Sequence, residues 1–207
     1  MKRGIKFLLF SMGMVLLWGC YPGGPDYYEE LDVALSKHNP DYDFTAKSTY
    51  AMPDKIVKIT GNMVEGEEPS YIPDFTGTEI LGMIQDNMSE LGWQKVDISA
   101  DPDLLLTPAA WETTTIYYWY DYWYWWYGGY YPGWGWGGYY PPVSWSSYTT
   151  GTLVMGLIDK DILGANGNPV TQWTGAINGI LNGAYDATRI RTAIDNTFAQ
   201  SPYLKTN

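Results

Sequence analysis

Apolar residues change their period several times along the chain, and each change marks an element. Tyr42, Phe44, Ala46, Ser48, Tyr50 and Met52 alternate with Asp43, Thr45, Lys47 and Thr49, a period of two that predicts a strand ended by Pro53. Ile56–Thr60 is a weaker strand candidate. Residues 61–74, with Gly61, Gly66, Pro69, Pro73 and three Glu, read as a solvated loop. The spacing then changes to that of a helix. Thr76 and Glu79 fit a capping box, Ile80, Leu81, Ile84, Met88 and Leu91 form one stripe, and Gly92 supplies the stop. Trp93–Ile98 and Leu104–Thr107 return to strand character on either side of Asp101-Pro102-Asp103. Thr149–Asp159 predicts a strand with Leu153, Met155 and Leu157 on one face and Val154 and Ile158 on the other. A turn at Asn166-Gly167-Asn168-Pro169 joins it to Val170–Leu181, with Trp173, Ile177 and Leu181 on one face. Asp186 caps a last helix whose stripe is Ala187, Ile190, Ile194 and Phe198. The order of elements predicts an α+β body, an antiparallel sheet with two helices packed on one face.

The N-terminus has a different character. Lys2, Arg3 and Lys6 precede an apolar run from Phe7 to Trp18, the order of a secretory signal and too short to span a bilayer. Leu17-Trp18-Gly19-Cys20 resembles the lipobox of bacterial lipoproteins, which implies cleavage before Cys20 and a diacylglycerol on its sulfur. The plainer alternative is a secretory signal with an accidental cysteine, which would carry a lone thiol into an oxidising compartment. The expected division is a signal peptide over 1–19, a lipidated Cys20 with a tether over 20–41, a domain over 42–200 and a tail over 201–207. Tyr21 lacks the acidic residue that retains some lipoproteins in the inner membrane, so by that analogy the outer membrane is favoured.

Composition narrows the function. The 207 residues carry 12 basic against 23 acidic side chains, and loss of 1–19 would leave nine against 23. Such a body is repelled by nucleic acid and by anionic bilayers, so no nucleic-acid partner is expected and the membrane is reached through the lipid alone. One Cys and one His exclude an internal disulfide, a Cys-based zinc site and any site needing two imidazoles.

An ordered set of motifs resembles a known family. Tyr42-Asp43-Phe44 with Lys47-Ser48-Thr49-Tyr50 is followed by Leu91-Gly92-Trp93 and Asp101-Pro102-Asp103-Leu104. Tyr148, Gly151-Thr152-Leu153-Val154, Leu157-Ile158-Asp159, and Trp173 with Gly175 complete it. Together these are similar to the bacterial lipoprotein family catalogued as domain of unknown function 4136, over roughly residues 40–200. The family pattern has an aromatic where this chain has Met52. The resemblance implies a cell-envelope lipoprotein of Gram-negative bacteria with an α+β domain, and offers no catalytic residues.

The unusual feature is an aromatic stretch. From Tyr117 to Tyr148, 18 of 32 residues are Trp or Tyr, glycines are interleaved, and Asp121 is the one charge. Stiff amphipathic rings of this kind suit protein contacts, stack on sugars or sit among lipid headgroups. They equally suit a hairpin extension whose rings cover one another and the sheet. Basic residues that would accompany nucleic-acid stacking are absent from it.

Other motifs carry less. Gly133-Trp134-Gly135-Trp136-Gly137-Gly138 spells a dinucleotide-loop pattern, but prolines on both sides forbid the strand–turn–helix that such a loop needs. Asp159-Lys160-Asp161 begins like a calcium loop and fails at Leu163 and Val170, so these acids read as solvating a hairpin tip. His38 reads as a surface residue, and Glu29-Glu30 and Glu67-Glu68 as solvated pairs. The expectation is a non-catalytic, lipid-anchored interaction or structural module that needs no cofactor or metal. Cys20 is its attachment site, and Trp119, Trp123, Trp125, Trp126, Trp134 and Trp136 are candidate contact rings for a protein partner. A glycan-binding lipoprotein using the same rings, or an envelope hydrolase, stays open as an alternative.

Overall fold

A computed structural model describes residues 33–60, 70–112, 151–164 and 169–206. Among them are seven strands: β1 (Ala34–His38), β2 (Thr49–Ala51), β3 (Val57–Ile59), β4 (Gln94–Lys95), β5 (Leu104–Trp111), β6 (Thr152–Leu163) and β7 (Pro169–Ile177). Two helices, α1 (Asp74–Glu90) and α2 (Ala187–Ala199), complete the α+β body. The strands form one sheet in the order β1-β7-β6-β5-β2-β4, with β3 also beside β5.

The sequence predicts an antiparallel sheet, and the structure corrects this to a mixed one. β1, β7, β6 and β5 pair antiparallel, whereas β2 and β3 pair parallel with β5, and β2 parallel with β4. Parallel neighbours need a long crossover. Here α1 supplies it, returning the chain after β3 so that β4 and β5 run in the direction of β2. β2 and β3 lie end to end along the same side of β5, interrupted at residues 52–56. Pro108 of β5 sits opposite that interruption. Glu112 donates its N–H to the Ile59 carbonyl, so residues of even number in β5 turn their amides toward β2 and β3. The amide that Pro108 lacks would therefore have pointed where no strand waits to accept it.

Other boundaries differ from expectation for local reasons. The strand expected over Tyr42–Met52 shortens to Thr49–Ala51. The Asp43 carboxylate accepts from the Thr45 amide at 3.0 Å and its hydroxyl at 2.6 Å, bending Phe44–Ala46 into a 3-10 turn. Helix α1 starts at Asp74 and not after a Thr76 cap. Pro73 leads in with φ −52° and no side chain caps the end, so the Thr76–Glu79 box does not form. Its C-terminus follows the sequence closely. Gly92 takes φ +92° and donates to Ser89 at 3.0 Å, while Trp93 donates to Met88 at 3.0 Å. Asp186 caps α2 through the amides of Thr188 and Arg189. β7 ends at Ile177, before Leu181, in a turn with Gly179 at φ +74°. The loop residues 61–69 and the turn residues 165–168 lie outside the described residues.

Both helices pack on one sheet face, as the stripes predict. Ile80, Ile84 and Met88 of α1, and Ile190, Ile194 and Phe198 of α2, share one buried cluster with Leu104, Leu106, Leu153, Met155, Leu157 and Trp173. Gly175 lets α2 approach closely, since a Cβ there would lie 2.7 Å from Thr197. On the opposite face, Ile98 packs on Ala51, Leu105 and Ile158.

The body is longer at both ends than the sequence suggests. Ala34–His38, expected in the tether, is an edge strand of the sheet, with Asn39 donating to the Gln172 carbonyl at 2.8 Å. Residues 201–206, expected as a tail, are built in. Leu204 is fully buried, its carbonyl accepts from the Trp93 indole at 2.7 Å, and Thr206 donates to Leu91 at 2.9 Å. Leu204→Ala is expected to destabilise the protein by about 2–5 kcal/mol in urea unfolding, as for a buried leucine. A loss below about 0.5 kcal/mol would mean that the segment is a loose tail after all.

Candidate functional site

Trp119, Trp123, Trp125, Trp126, Trp134 and Trp136 lie in 113–150, outside the described residues, as does Cys20 in 1–32. The structure does describe the frame from which the aromatic segment leaves. β5 ends at Trp111 and β6 begins at Thr152, and these two residues are register partners in adjacent strands. Gly151 donates its N–H to the Trp111 carbonyl at 2.7 Å, and its own carbonyl accepts from Leu181 at 2.9 Å. Gly151 has φ +81°, and a Cβ there would run into the Asn182 side chain. The exit strand is held on its other side as well, by Glu112 N–H to Ile59 at 3.0 Å and by Lys58 Nζ to Glu112 Oε1 at 2.9 Å. Both feet of the segment are thus clamped side by side at one end of the sheet.

At the opposite end lies the body's main polar cluster. Asp159 is 1% exposed. Its Oδ2 accepts from the Tyr42 hydroxyl at 2.7 Å and pairs with Lys47 Nζ at 3.1 Å, while its Oδ1 accepts from the Asp161 amide at 2.9 Å. Burial alone would raise this carboxyl, but the Tyr42, Asp161 and Lys47 donors outweigh it and hold the group below its ordinary value. Burial and the Asp159 charge push the Tyr42 hydroxyl far up, so it stays a neutral donor. Nearby, Asp103 accepts from Ser48 N–H, Thr49 N–H and Thr49 Oγ1 at 3.0, 2.9 and 2.7 Å. Lys160 Nζ reaches Asp101 at 2.9 Å and Asp161 at 3.2 Å. The arrangement ties the segment 42–49 and the start of β5 to β6. At 1% exposure the Asp159 carboxylate faces these donors and not open solvent.

For Asp159 this corrects the expectation that the acids 159–161 solvate a hairpin tip, while Asp161 is exposed. Asp159 is buried because it continues the face of Leu153, Met155 and Leu157, two residues further along β6. An acid on an apolar face was the available signal. Among the described residues, no group of three or more His, Cys, Asp or Glu side chains is placed to hold a metal ion. His38 is half-buried within β1 and stacks on Tyr203 at 3.6 Å between ring centroids. A shallow cavity of about 450 Å³ opens beside Pro53, Asp54, Gln85, Lys95 and Asp97. Within it Asp97 is committed to capping Ser99, accepting from its amide at 2.8 Å.

Comparison with known proteins gives a consistent picture. The family model of a domain of unknown function, DUF4136, matches residues 35–203. The crystal structure of a DUF4136 family protein from Bacteroides thetaiotaomicron VPI-5482 is similar, with 24% identity and a TM-score of 0.60. The match covers 84% of this chain and 97% of that one, and shows the fold. No curated protein matches the chain.

Asp159→Asn is expected to cost about 3–5 kcal/mol near neutral pH, because Lys47 would be left facing a buried site without its counter-charge. The sign of the pH dependence follows from the lowered carboxyl. The stabilisation is complete above the unfolded value near 3.8 and is lost as pH falls through the lower folded value. Urea midpoints between pH 7 and pH 2 should therefore show a component of acid destabilisation that Asp159→Asn abolishes. An unchanged acid limb in the variant would refute the clasp.

Proposed function

The chain belongs to the DUF4136 family, a domain of unknown function, and from that premise we propose that it is a lipid-anchored, non-catalytic module of the cell envelope. In this reading Cys20 carries the lipid, the α+β body is a rigid mount, and the aromatic segment makes the contact with a partner. The observation that supports it is the clamp. The Gly151–Trp111 hydrogen bond brings the two ends of the aromatic segment together on the two central strands of the sheet. A long connection presented from a rigid support is the usual placing of a binding surface.

The polar chemistry of the body agrees with this role. Asp159, Tyr42 and Lys47 meet one another and not an open cleft, and the Tyr42 hydroxyl is held neutral. Asp103 and Asp97 are committed to backbone amides. A cluster spent on bracing has no acid and base of opposed character left for hydrolysis. The single-residue rings named above remain the candidate contacts, and a protein partner in the outer membrane or periplasm is the favoured class.

Two measurements test the two halves of the proposal. Growth with labelled palmitate should mark the native chain and not Cys20→Ala, and the variant should leave the membrane fraction. A photo-crosslinking residue placed in turn at Trp119, Trp123, Trp125, Trp126, Trp134 and Trp136 should give discrete adducts with an envelope protein from at least one position. Adducts confined to the chain itself at all six would remove the segment as a contact surface. Retardation of the chain in gels containing polysaccharide, lost when the six tryptophans become serine, would favour a glycan in place of a protein.

A further inference from the structure

One pair of rings stands in the open on the helical layer. Phe75, in the first turn of α1, is 68% exposed, the most exposed large apolar side chain among the described residues. Tyr185 lies just before the Asp186 cap of α2 and is also exposed. The two rings meet edge to face, with centroids 5.7 Å apart and planes at 73°. Glu79 sits one turn on from Phe75, on the same side of α1, and its Oε2 accepts from the Tyr185 hydroxyl at 3.4 Å. Two steeply inclined rings form a corner with open aromatic faces, and a carboxylate stands at its rim. A ring that served only to brace the loop onto α1 would be covered, and most of Phe75 is not.

The charge around this corner is one-sided. α1 carries Asp74, Glu79, Asp86 and Glu90 and no Lys or Arg. Of the two cations on α2, Arg191 pairs with Asp86 at 3.2 Å, and Arg189 donates to the carbonyls of Asn182 and Gly179 at 3.2 Å each. Lys55 reaches Asp74 at 3.8 Å and lies over the Tyr71 ring. Among the described residues no cation pairs with Glu79. Open aromatic faces and a carboxylate without a counter-ion both attract a cation. A guanidinium suits them better than an ammonium, because it can lie flat on a ring and still turn its N–H groups to the Glu79 oxygens. We propose that Phe75, Tyr185 and Glu79 form a docking point for an arginine side chain presented by a partner protein. Aromatic rings and Arg are the side chains that most often anchor protein interfaces. The surrounding acids favour a basic partner surface and repel an anionic one. This docking point is independent of the lipid anchor and of what the aromatic segment contacts.

The full chain is titrated with three peptides, acetyl-Gly-Arg-Gly-amide and its lysine and citrulline counterparts, while the ring resonances of selectively labelled Phe75 and Tyr185 are followed by NMR. The arginine peptide should bind saturably with a millimolar Kd at low salt and shift both rings. Citrulline keeps the shape of arginine without its charge, and its peptide should bind about tenfold more weakly. The lysine peptide should be about threefold weaker than the arginine peptide. Phe75→Ala and Glu79→Gln should each weaken the arginine peptide about threefold or more, whereas Ser89→Ala, further along the exposed side of α1, should not. Free arginine carries a carboxylate that the acidic surface repels, so it should bind more weakly than the capped peptide. An equal response to arginine and citrulline, or to arginine and lysine, would overturn the docking point. So would an affinity that neither Phe75→Ala nor Glu79→Gln changes. Tighter binding of free arginine would overturn protein docking and assign the corner to a small molecule. The citrulline comparison uses the unaltered chain, so it decides the matter whatever a variant does to folding.

Discussion

Every described part of this fold hangs on the β5–β6 ladder. Both strands are buried on both faces over most of their length, so each of their amides and carbonyls has to find a partner inside the protein. The pairing of Leu105–Trp111 with Ile158–Thr152 meets that demand on one side of each strand. β7 completes it beyond β6, and β2 and β3 complete it beyond β5. The single residue that cannot donate, Pro108, falls where β2 and β3 leave a gap. Burial on two faces also explains why β5 reads as a nearly continuous apolar run rather than a clean alternation.

Polar groups enter this frame only where they tie segments together. Asp159 is the clearest case, a carboxylate taken out of water and balanced by a phenol, an ammonium and an amide. Removing any one donor leaves the others paying the cost of burial, which is why such a cluster behaves as a unit. Asp103 does the same for Ser48 and Thr49 with less burial. The irregular stretch from Tyr42 to Thr49, which the helices and sheet do not pin by packing alone, is thereby held to β5 and β6.

Elements with strong local signals could be read from the chain, and those set by distant partners could not. The stripe of α1, its glycine stop and the Asp186 cap of α2 depend on neighbours within a turn or two, and they stand as the spacing implies. β1 could not be found this way. Its five residues make a strand because β7 offers an edge, a fact that lies more than a hundred residues away. The Tyr42–Met52 alternation misled because the Asp43 side chain competes with the ladder for the Thr45 amide. The parallel pairs were implicit in strand–helix–strand order, yet alternation alone says nothing about direction. Of the candidate site, the composition of the aromatic segment was plain in the sequence. The clamp at its feet and the buried Asp159 depend on which strands lie side by side.

The clamp also bears on how this chain can vary. Once Trp111 and Gly151 are joined in the ladder, the chain between them is a closed loop, and the entropy of closing a loop rises only with the logarithm of its length. Doubling the number of residues would cost about 0.6 kcal/mol, less than one cavity-forming substitution in the core. Residues at the far end of the segment can therefore be gained, lost or exchanged with hardly any penalty to folding. The sheet acts as a socket whose insert is free to diversify, while the residues that grip it are not.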